Sequence, residues 1–460
     1  MINIDENILN NKRHLHFIGI GGSGMYPLAQ ILHAKGYYIT GSDNNETDTL
    51  KAERAMGIPI FLGHRPENIE GADLIVHTAA IMADNAELIA AQKSGVPVLE
   101  RSQLLGLVTK KFDRCVCVSG AHGKTTTSSM LTQIMMEGNL DPTAVIGGKL
   151  PVIGGSGRVG KSDLMVCEAC EFVDTFLKLY PDISIILNID ADHLDYFGTL
   201  ENIIKSFHKF AMMTTKTLIV NGDDANSMKA IEGVEKPVIT FGFSDQNDYY
   251  AENVLYQSGI HTEFDLMHHG EKLMRIELHV PGRHNILNAV AASAAALHCG
   301  AGEDAIVRAF REFGGAKRRF EVVYKENGIT VADDYAHHPA EIKATLSAAK
   351  EMPFKRVWAV HQPFTYSRTS MLLDDFAEVL SIADRTVLSE IMGSREVNTY
   401  NIFAKDLADK IDGCVWFKTF EEISDYVVEH AEEGDLIITL GCGDVNKCAQ
   451  MIKEKLQAKN

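Results

Sequence analysis

Val118-Ser119-Gly120-Ala121-His122-Gly123-Lys124-Thr125-Thr126-Thr127 stands between an apolar run, Cys115 to Val118, and a helix-prone stretch, Ser128 to Met136. A glycine loop at such a junction points backbone N–H groups and the positive end of a helix dipole at phosphate oxygens. Gly120, His122, Gly123 and Thr126 form the loop, Lys124 is placed for the β- and γ-phosphates of a nucleotide, and the Thr125 hydroxyl is a Mg²⁺ ligand. The common GxxxxGK[ST] pattern asks for glycine at position 118, where Val118 stands, so the loop is a shortened GxxGKT form. Glu168 follows the apolar run Asp163 to Cys167, and His193 follows the run Ile183 to Ile189 within Asn188-Ile189-Asp190-Ala191-Asp192-His193-Leu194-Asp195. Both fall past the C-terminal ends of expected parallel strands, where open α/β sheets bind ligands. Alone, each reads as a cap or surface residue. Downstream of a phosphate loop they become candidate metal ligands, although Mg²⁺ takes imidazole less readily than carboxylate.

A second glycine loop, Gly19-Ile20-Gly21-Gly22-Ser23-Gly24, follows the first apolar run, and Asp43 ends the next one. Glycines at 19, 21 and 24 with a later acid form a dinucleotide fingerprint, in which Asp43 meets a ribose hydroxyl. The motif reports a phosphate at a helix start, and a diphosphate-bearing substrate fits it as well as NAD does. Three further clusters carry polar groups at element ends. Pro281-Gly282-Arg283-His284-Asn285-Ile286-Leu287-Asn288 opens an Ala-rich helix, with His284 and Asn288 one turn apart. Asp333-Asp334-Tyr335-Ala336-His337-His338-Pro339-Ala340-Glu341 sits on an expected strand-to-helix turn, where Pro339 suits the first helical position. Gln362-Pro363-Phe364-Thr365-Tyr366-Ser367-Arg368-Thr369 follows another apolar run, and on that loop Arg368 has the fork geometry to grip a carboxylate. The basic run Lys317-Arg318-Arg319 precedes Phe320 and Glu321. It reads as a linker, or as a grip for a phosphate.

The elements that must position these residues are short apolar runs alternating with amphipathic segments, which predicts βα units on mostly parallel sheets. Residues 249–280 break the rhythm with polar alternation, as in Ile260-His261-Thr262-Glu263-Phe264, and predict a small antiparallel sheet. A chain of 460 residues has room for about three domains. Seams at Thr109–Asp113 and Gly314–Arg319 divide it into 1–108, 109–321 and 322–460. Lys and Arg number 44 against 62 Asp and Glu, a net charge of −18 that disfavours nucleic acid and anionic membrane surfaces as partners. No apolar run is long enough to span a bilayer, and Met1 to Asn11 lack a signal-peptide pattern. Cys167 and Cys170 form one CxxC without a second pair, read as buried reduced thiols. The expectation is a cytoplasmic α/β protein.

In order, GIGGSGM, GAHGKTTT, EACE, NIDADHLD, GRHNILNA, RRFE, DDYAHHP and QPFTYSRT resemble the motif series of the Mur ligases, from about residue 14 to 450. The resemblance implies three domains: an N-terminal Rossmann-like domain for a UDP-sugar, a central P-loop ATPase domain and a C-terminal Rossmann-like domain. It implies ATP-dependent amide formation, joining L-alanine to the lactyl carboxylate of UDP-N-acetylmuramate through an acyl phosphate, for peptidoglycan precursors. Carried over by motif, Lys124 stabilises the transferred phosphoryl group, Thr125 and Glu168 hold one Mg²⁺, and His193 holds a second. His284, Asn285 and Asn288 meet the adenine side of ATP, and Arg319 and Asp334 engage ATP from the hinge and the last domain. His337 and Arg368 lie near the amino acid. Gly19, Gly21, Gly22 and Gly24 approach the UDP diphosphate, with Thr78 nearby.

Two departures limit the carry-over. The family's QPHRxxRT has Phe364 and Thr365 at its His and first Arg, which leaves Arg368 alone for the amino-acid carboxylate and leaves glycine or serine open as alternatives to alanine. The family's ESD reads Glu171-Phe172-Val173-Asp174, so the contacts of that Ser are not carried over. A ligase that recycles ready-made peptide onto UDP-N-acetylmuramate is the alternative within the family. An NAD-dependent oxidoreductase leaves Lys124, Glu168 and His193 without a task, and a nucleotide switch leaves the Asp333–Glu341 cluster without one. Monomer and homodimer are both compatible with the sequence.

Overall fold

A computed structural model describes residues 8–256, 261–394 and 396–459, apart from the side chain of Asp195. The expected strand residue Ile260 and the extreme N-terminus lie outside the described residues. The chain forms two compact units, one of Met1–Glu252, Asp265–Arg275 and Leu287–Phe310, the other of Asn253–Phe264, Ile276–Ile286 and Arg311–Asn460.

The first unit opens with a five-stranded parallel sheet in the order Ile60–Leu62, Tyr38–Asp43, His14–Ile18, Leu74–His77, Val98–Glu100. Leu15, Phe17 and Ile18 are fully buried, as expected of a parallel strand covered on both faces. Strand order reverses between His14–Ile18 and Leu74–His77, so Gly19–Gly24 and Thr78 leave the sheet at a topological switch point.

A ten-stranded sheet follows. At its centre Arg114–Ser119 pairs in parallel with Leu164–Glu168 on one side and Ile183–Ile186 on the other. The phosphate loop, Glu168 and the segment leading to His193 therefore leave one edge side by side. The run Ile183 to Ile189 was expected to be strand throughout, but the strand stops at Ile186. Asn188 is drawn to the loop instead: its carbonyl accepts from Ala121 N–H at 3.0 Å. Its side chain accepts from His122 N–H at 2.8 Å and donates to the His122 carbonyl at 3.1 Å. The helix after the loop starts at Lys124, earlier than the expected Ser128, because Gly123 turns the chain in the left-handed region at φ 89°.

The segment expected as a small antiparallel sheet extends this same sheet. Tyr249–Tyr256 pairs in parallel with Val238–Gly242, and Thr262–His268 and Glu271–Leu278 continue outward to the edge. The second unit holds a six-stranded sheet in the order Glu321–Glu326, Ile329–Asp334, Asp435–Leu440, Arg356–His361, Arg385–Ser389, Val415–Phe417. Only its first pair is antiparallel. Asp333 and Asp334, expected on the turn, are the last residues of the strand Ile329–Asp334 because they pair with Thr439 and Leu440, and the rest of their cluster follows it; the cluster containing Arg368 follows the strand Arg356–His361.

Candidate active site

Lys124 opens the helix after the phosphate loop in the first unit. Its ammonium donates to the Gly120 carbonyl at 2.6 Å and the Ala121 carbonyl at 3.0 Å, and both oxygens of Glu171 lie within 2.9–3.0 Å. Burial by itself lowers a lysine pKa. Here the Glu171 carboxylate, with Cys170 and Glu168 behind it, outweighs burial and raises it, so Lys124 stays charged. Neither phosphate-loop glycine could carry a side chain. A Cβ on Gly123 would overlap Asn288 Oδ1, and one on Gly120 would lie 2.9 Å from Leu187 Cβ.

Glu168 stands where the sequence placed it. One oxygen accepts the Thr125 hydroxyl at 3.1 Å, and the other accepts the Gly147 N–H at 2.8 Å. A hydroxyl and a carboxylate meeting at a helix start form a hard-oxygen pair suited to Mg²⁺. His193 sits in the left-handed region at φ 54°, its ring 4.7 Å from that of Phe172. Its Nε2 is 3.9 Å from Glu171 and 3.7 Å from Asp192. Glu171, Asp192 and His193 each offer a donor atom within 4.8 Å of the other two. The imidazole thus has carboxylate company that His193 considered alone lacked. Glu171 and Asp192 were quoted in the motifs and given no role; the usable signal was an acid beside each assigned ligand. Thr126 follows Thr125 in the first helical turn, and His122 Nε2 faces Asp190 at 3.9 Å.

The N-terminal glycine loop is built differently. Gly19 is left-handed at φ 80°, and a Cβ on it would lie 2.7 Å from Thr78 Cγ2. Asp43, expected at a ribose hydroxyl, accepts the Gly21 N–H at 3.1 Å and the Asn45 N–H at 3.2 Å, so it holds the loop. A Cβ on Gly24 would meet the Arg101 side chain at 2.9 Å, and Gly22 has no contact that close. Gly22, Gly24, Thr78 and Arg101 line a cavity of about 410 Å³ that also reaches Gly147 and Glu168. Arg101 is a cation the sequence reading missed. It begins the helix Arg101–Thr109 in a polar stretch with no recognisable motif. Of the CxxC pair, Cys167 is buried, but Cys170 is exposed and both are free thiols, which corrects the expectation of two buried ones.

In the second unit, Asp334 accepts the Phe320 and Ala336 N–H groups, both at 2.8 Å. Burial pushes its carboxyl up to about 6, against the pull of Arg319. Arg319 and Arg318 lie over the Tyr335 ring, at 5.5 and 5.1 Å from its centroid. His337 Nδ1 is 3.1 Å from both the Tyr335 carbonyl and Glu341. The His337 ring and backbone N–H hold the half-buried Glu341 carboxyl well below the usual range, although burial alone would raise it. Arg368 lies in a short helix, Tyr366–Met371, rather than on the expected loop, because the Thr365 hydroxyl caps that turn. Its Nη1 is buried without a hydrogen-bond partner among the described residues. Asn285 is buried and donates to the Pro281 carbonyl at 2.6 Å, and His284 is exposed at the start of the helix Arg283–His298. Asn288, in the first unit, is buried against Gly123.

Two glycine loops on neighbouring sheets, only one of them armed with a lysine, suit an α/β enzyme that consumes a nucleoside triphosphate and holds a second anion. Family models agree with that class: the Mur ligase family catalytic domain matches residues 14–113, the Mur ligase middle domain matches 118–296, and the Mur ligase glutamate ligase domain matches 318–443. The chain belongs to the Mur ligase family, and its three-domain α/β fold is the family's. It is 43% identical to the UDP-N-acetylmuramate–L-alanine ligase of Caldanaerobacter subterraneus subsp. tengcongensis, over 97% of this chain and 98% of that one. The crystal structure of UDP-N-acetylmuramate-alanine ligase MurC from Thermotoga maritima is similar, with a TM-score of 0.82 and 27% identity over 97% of this chain and 100% of that one. A murein peptide ligase from Psychrobacter arcticus matches with a TM-score of 0.72 and 25% identity, over 96% and 98% of the two chains.

Proposed function

We propose that this chain is an ATP-dependent ligase that joins L-alanine to the lactyl carboxylate of UDP-N-acetylmuramate in peptidoglycan synthesis. Near full-length likeness to ligases of that name supports the substrate pair. The observation that carries the chemistry is Lys124, kept charged by Glu171 at the start of a helix. A carboxylate is a poor electrophile. Its oxygen attacks the γ-phosphorus, ADP leaves, and the acyl phosphate has a good leaving group. The alanine amine then attacks the carbonyl carbon, inorganic phosphate departs and the amine proton is released. The protein's task is to place reactants and offset charge.

The loop Gly120–Thr126 binds the triphosphate, and Lys124 meets the charge on the transferred group. Thr125 and Glu168 are the fitting ligands for one Mg²⁺, with His193 beside Glu171 and Asp192 for a second. Bound there, Mg²⁺ supplies charge neutralisation for the phosphoryl oxygens. Asn288 packs on the phosphate loop, and His284 and Asn285 serve the adenine end. Asp334 sets the turn that carries His337, Arg319 reaches ATP, and His337 and Arg368 take the amino acid, with Arg368 on its carboxylate. Gly19, Gly21, Gly22, Gly24, Thr78 and Asp43 shape the UDP site. Domains 1–108, 109–321 and 322–460 divide these tasks. The enzyme acts in the cytoplasm as monomer or homodimer, without nucleic acid or membrane, and no described helix is long and apolar enough to cross a membrane.

The test is ADP release in a coupled assay. Release is expected only with Mg²⁺, UDP-N-acetylmuramate and L-alanine together. Turnover with a preformed peptide in place of alanine would move the chain to the recycling ligases, and ADP release without any amine would make it a switch.

A further inference from the structure

We propose that His261, Glu277 and His279 form a transition-metal site, apart from the phosphate-loop cluster, that binds Zn²⁺ in a His₂Glu donor set. Each offers a donor atom within 4.8 Å of the other two, and all three belong to the second compact unit. Glu277 and His279 are two residues apart at the end of Glu271–Leu278, so the strand period puts them on one side. His261 immediately precedes the strand Thr262–His268, which neighbours Glu271–Leu278 in the sheet. The two imidazole rings lie 4.6 Å apart at 90°.

Two observations separate this cluster from an ordinary surface group. His261 Nδ1 is buried and makes no hydrogen bond among the described residues, which is costly for a ring nitrogen unless something completes it. His279 Nε2 is 2.9 Å from Glu277, so these two donors already face each other, and an ion held by both replaces that contact. Two imidazoles and one carboxylate match Zn²⁺ better than Mg²⁺ or Ca²⁺, which take oxygen. Donors on a tetrahedral Zn²⁺ lie about 3.3 Å apart, so closing the set takes side-chain rotation and no strand movement. Lys325 near His261 and Arg311 near Glu277 oppose a cation, so the three donors bind an ion against some local positive charge. His279 is two residues before Pro281, which leads into the helix carrying His284, Asn285 and Asn288, so a bound ion would pin the strand end that feeds that helix.

The experiment titrates Zn²⁺ into the full chain, stripped with chelator, by calorimetry and by a competing chromophore. His193→Ala serves as the parent, so that the phosphate-loop cluster does not contribute. One equivalent is expected to bind the parent, with a Kd weakened at least tenfold by His261→Asn and by His279→Gln, and to raise the parent's Tm but not that of either variant. Glu277→Gln is expected to weaken binding less. Mg²⁺ at the same concentrations is expected to give neither effect. Unchanged Zn²⁺ affinity in both histidine variants, with circular dichroism matching the parent, would overturn the site, as would no binding to the parent. Neither readout uses ligase turnover, so the outcome is independent of the proposed activity.

Discussion

The two glycine loops of the first unit follow parallel strands of neighbouring sheets and use the same backbone device for different ends. The Gly19–Gly24 loop ties its first amides down within the sheet: Gly19 and Ile20 N–H go to the Ser42 carbonyl, Gly21 N–H goes to Asp43, Gly22 N–H goes to the Gly19 carbonyl, and the following helix starts only at Tyr26. Its cation comes from another element, Arg101 at the start of the helix after Glu100. The Gly120–Thr125 loop carries its own cation in Lys124, and its helix starts at that residue. A loop whose arginine comes from another element suits a resting anion. A loop whose own lysine is gripped by Glu171 suits charge that develops during reaction, because a pre-placed charge needs no reorganisation. Glycine-rich motifs alike in sequence are therefore separated by where the charge comes from.

The sharpest test of that separation is Lys124→Ala. Turnover is expected to fall about 10³-fold or more, while the Kd for the UDP-sugar, measured by calorimetry, stays near the parent value. Equal loss of sugar binding would merge the two loops into one site. Glu171→Gln comes next, with kcat down about 10²-fold and the sugar KM unchanged, because Lys124 loses the carboxylate that keeps it placed and charged. Gly24→Ala pushes the new methyl against Arg101 and is expected to raise the UDP-sugar KM about tenfold, with the ATP KM unchanged. A change in ATP KM of the same size would break the comparison. Arg101→Lys keeps the charge but loses the fork, and an increase of about threefold in sugar KM is expected.

How far the site was legible in the residues follows the same division. Lys124, Thr125 and Glu168 were legible because a loop–helix junction is local chemistry, and its ligands fall at strand ends that apolar runs announce. The helix start at Lys124 was misread by four residues because the left-handed turn at Gly123 belongs to the loop and not to any helical periodicity. The strand at Ile183 was read too long because Asn188 turns to hydrogen-bond the phosphate loop, which no apolar run announces. Arg101 was not legible, since a surface-type residue beside an element end looks the same whether it faces solvent or a cavity.

Local chain chemistry by itself determined the alternation of strands and helices, the two phosphate-type loops and the family to which the chain belongs, because these depend on spacing along a few tens of residues. Tertiary structure alone decided which acid holds Lys124, that Asp43 braces a loop and that Asp334 clasps the turn beneath His337. It also decided that His261 meets His279. Each of these pairs residues from different segments, and only the sheet order and the register of its strands bring such segments within reach of a hydrogen bond.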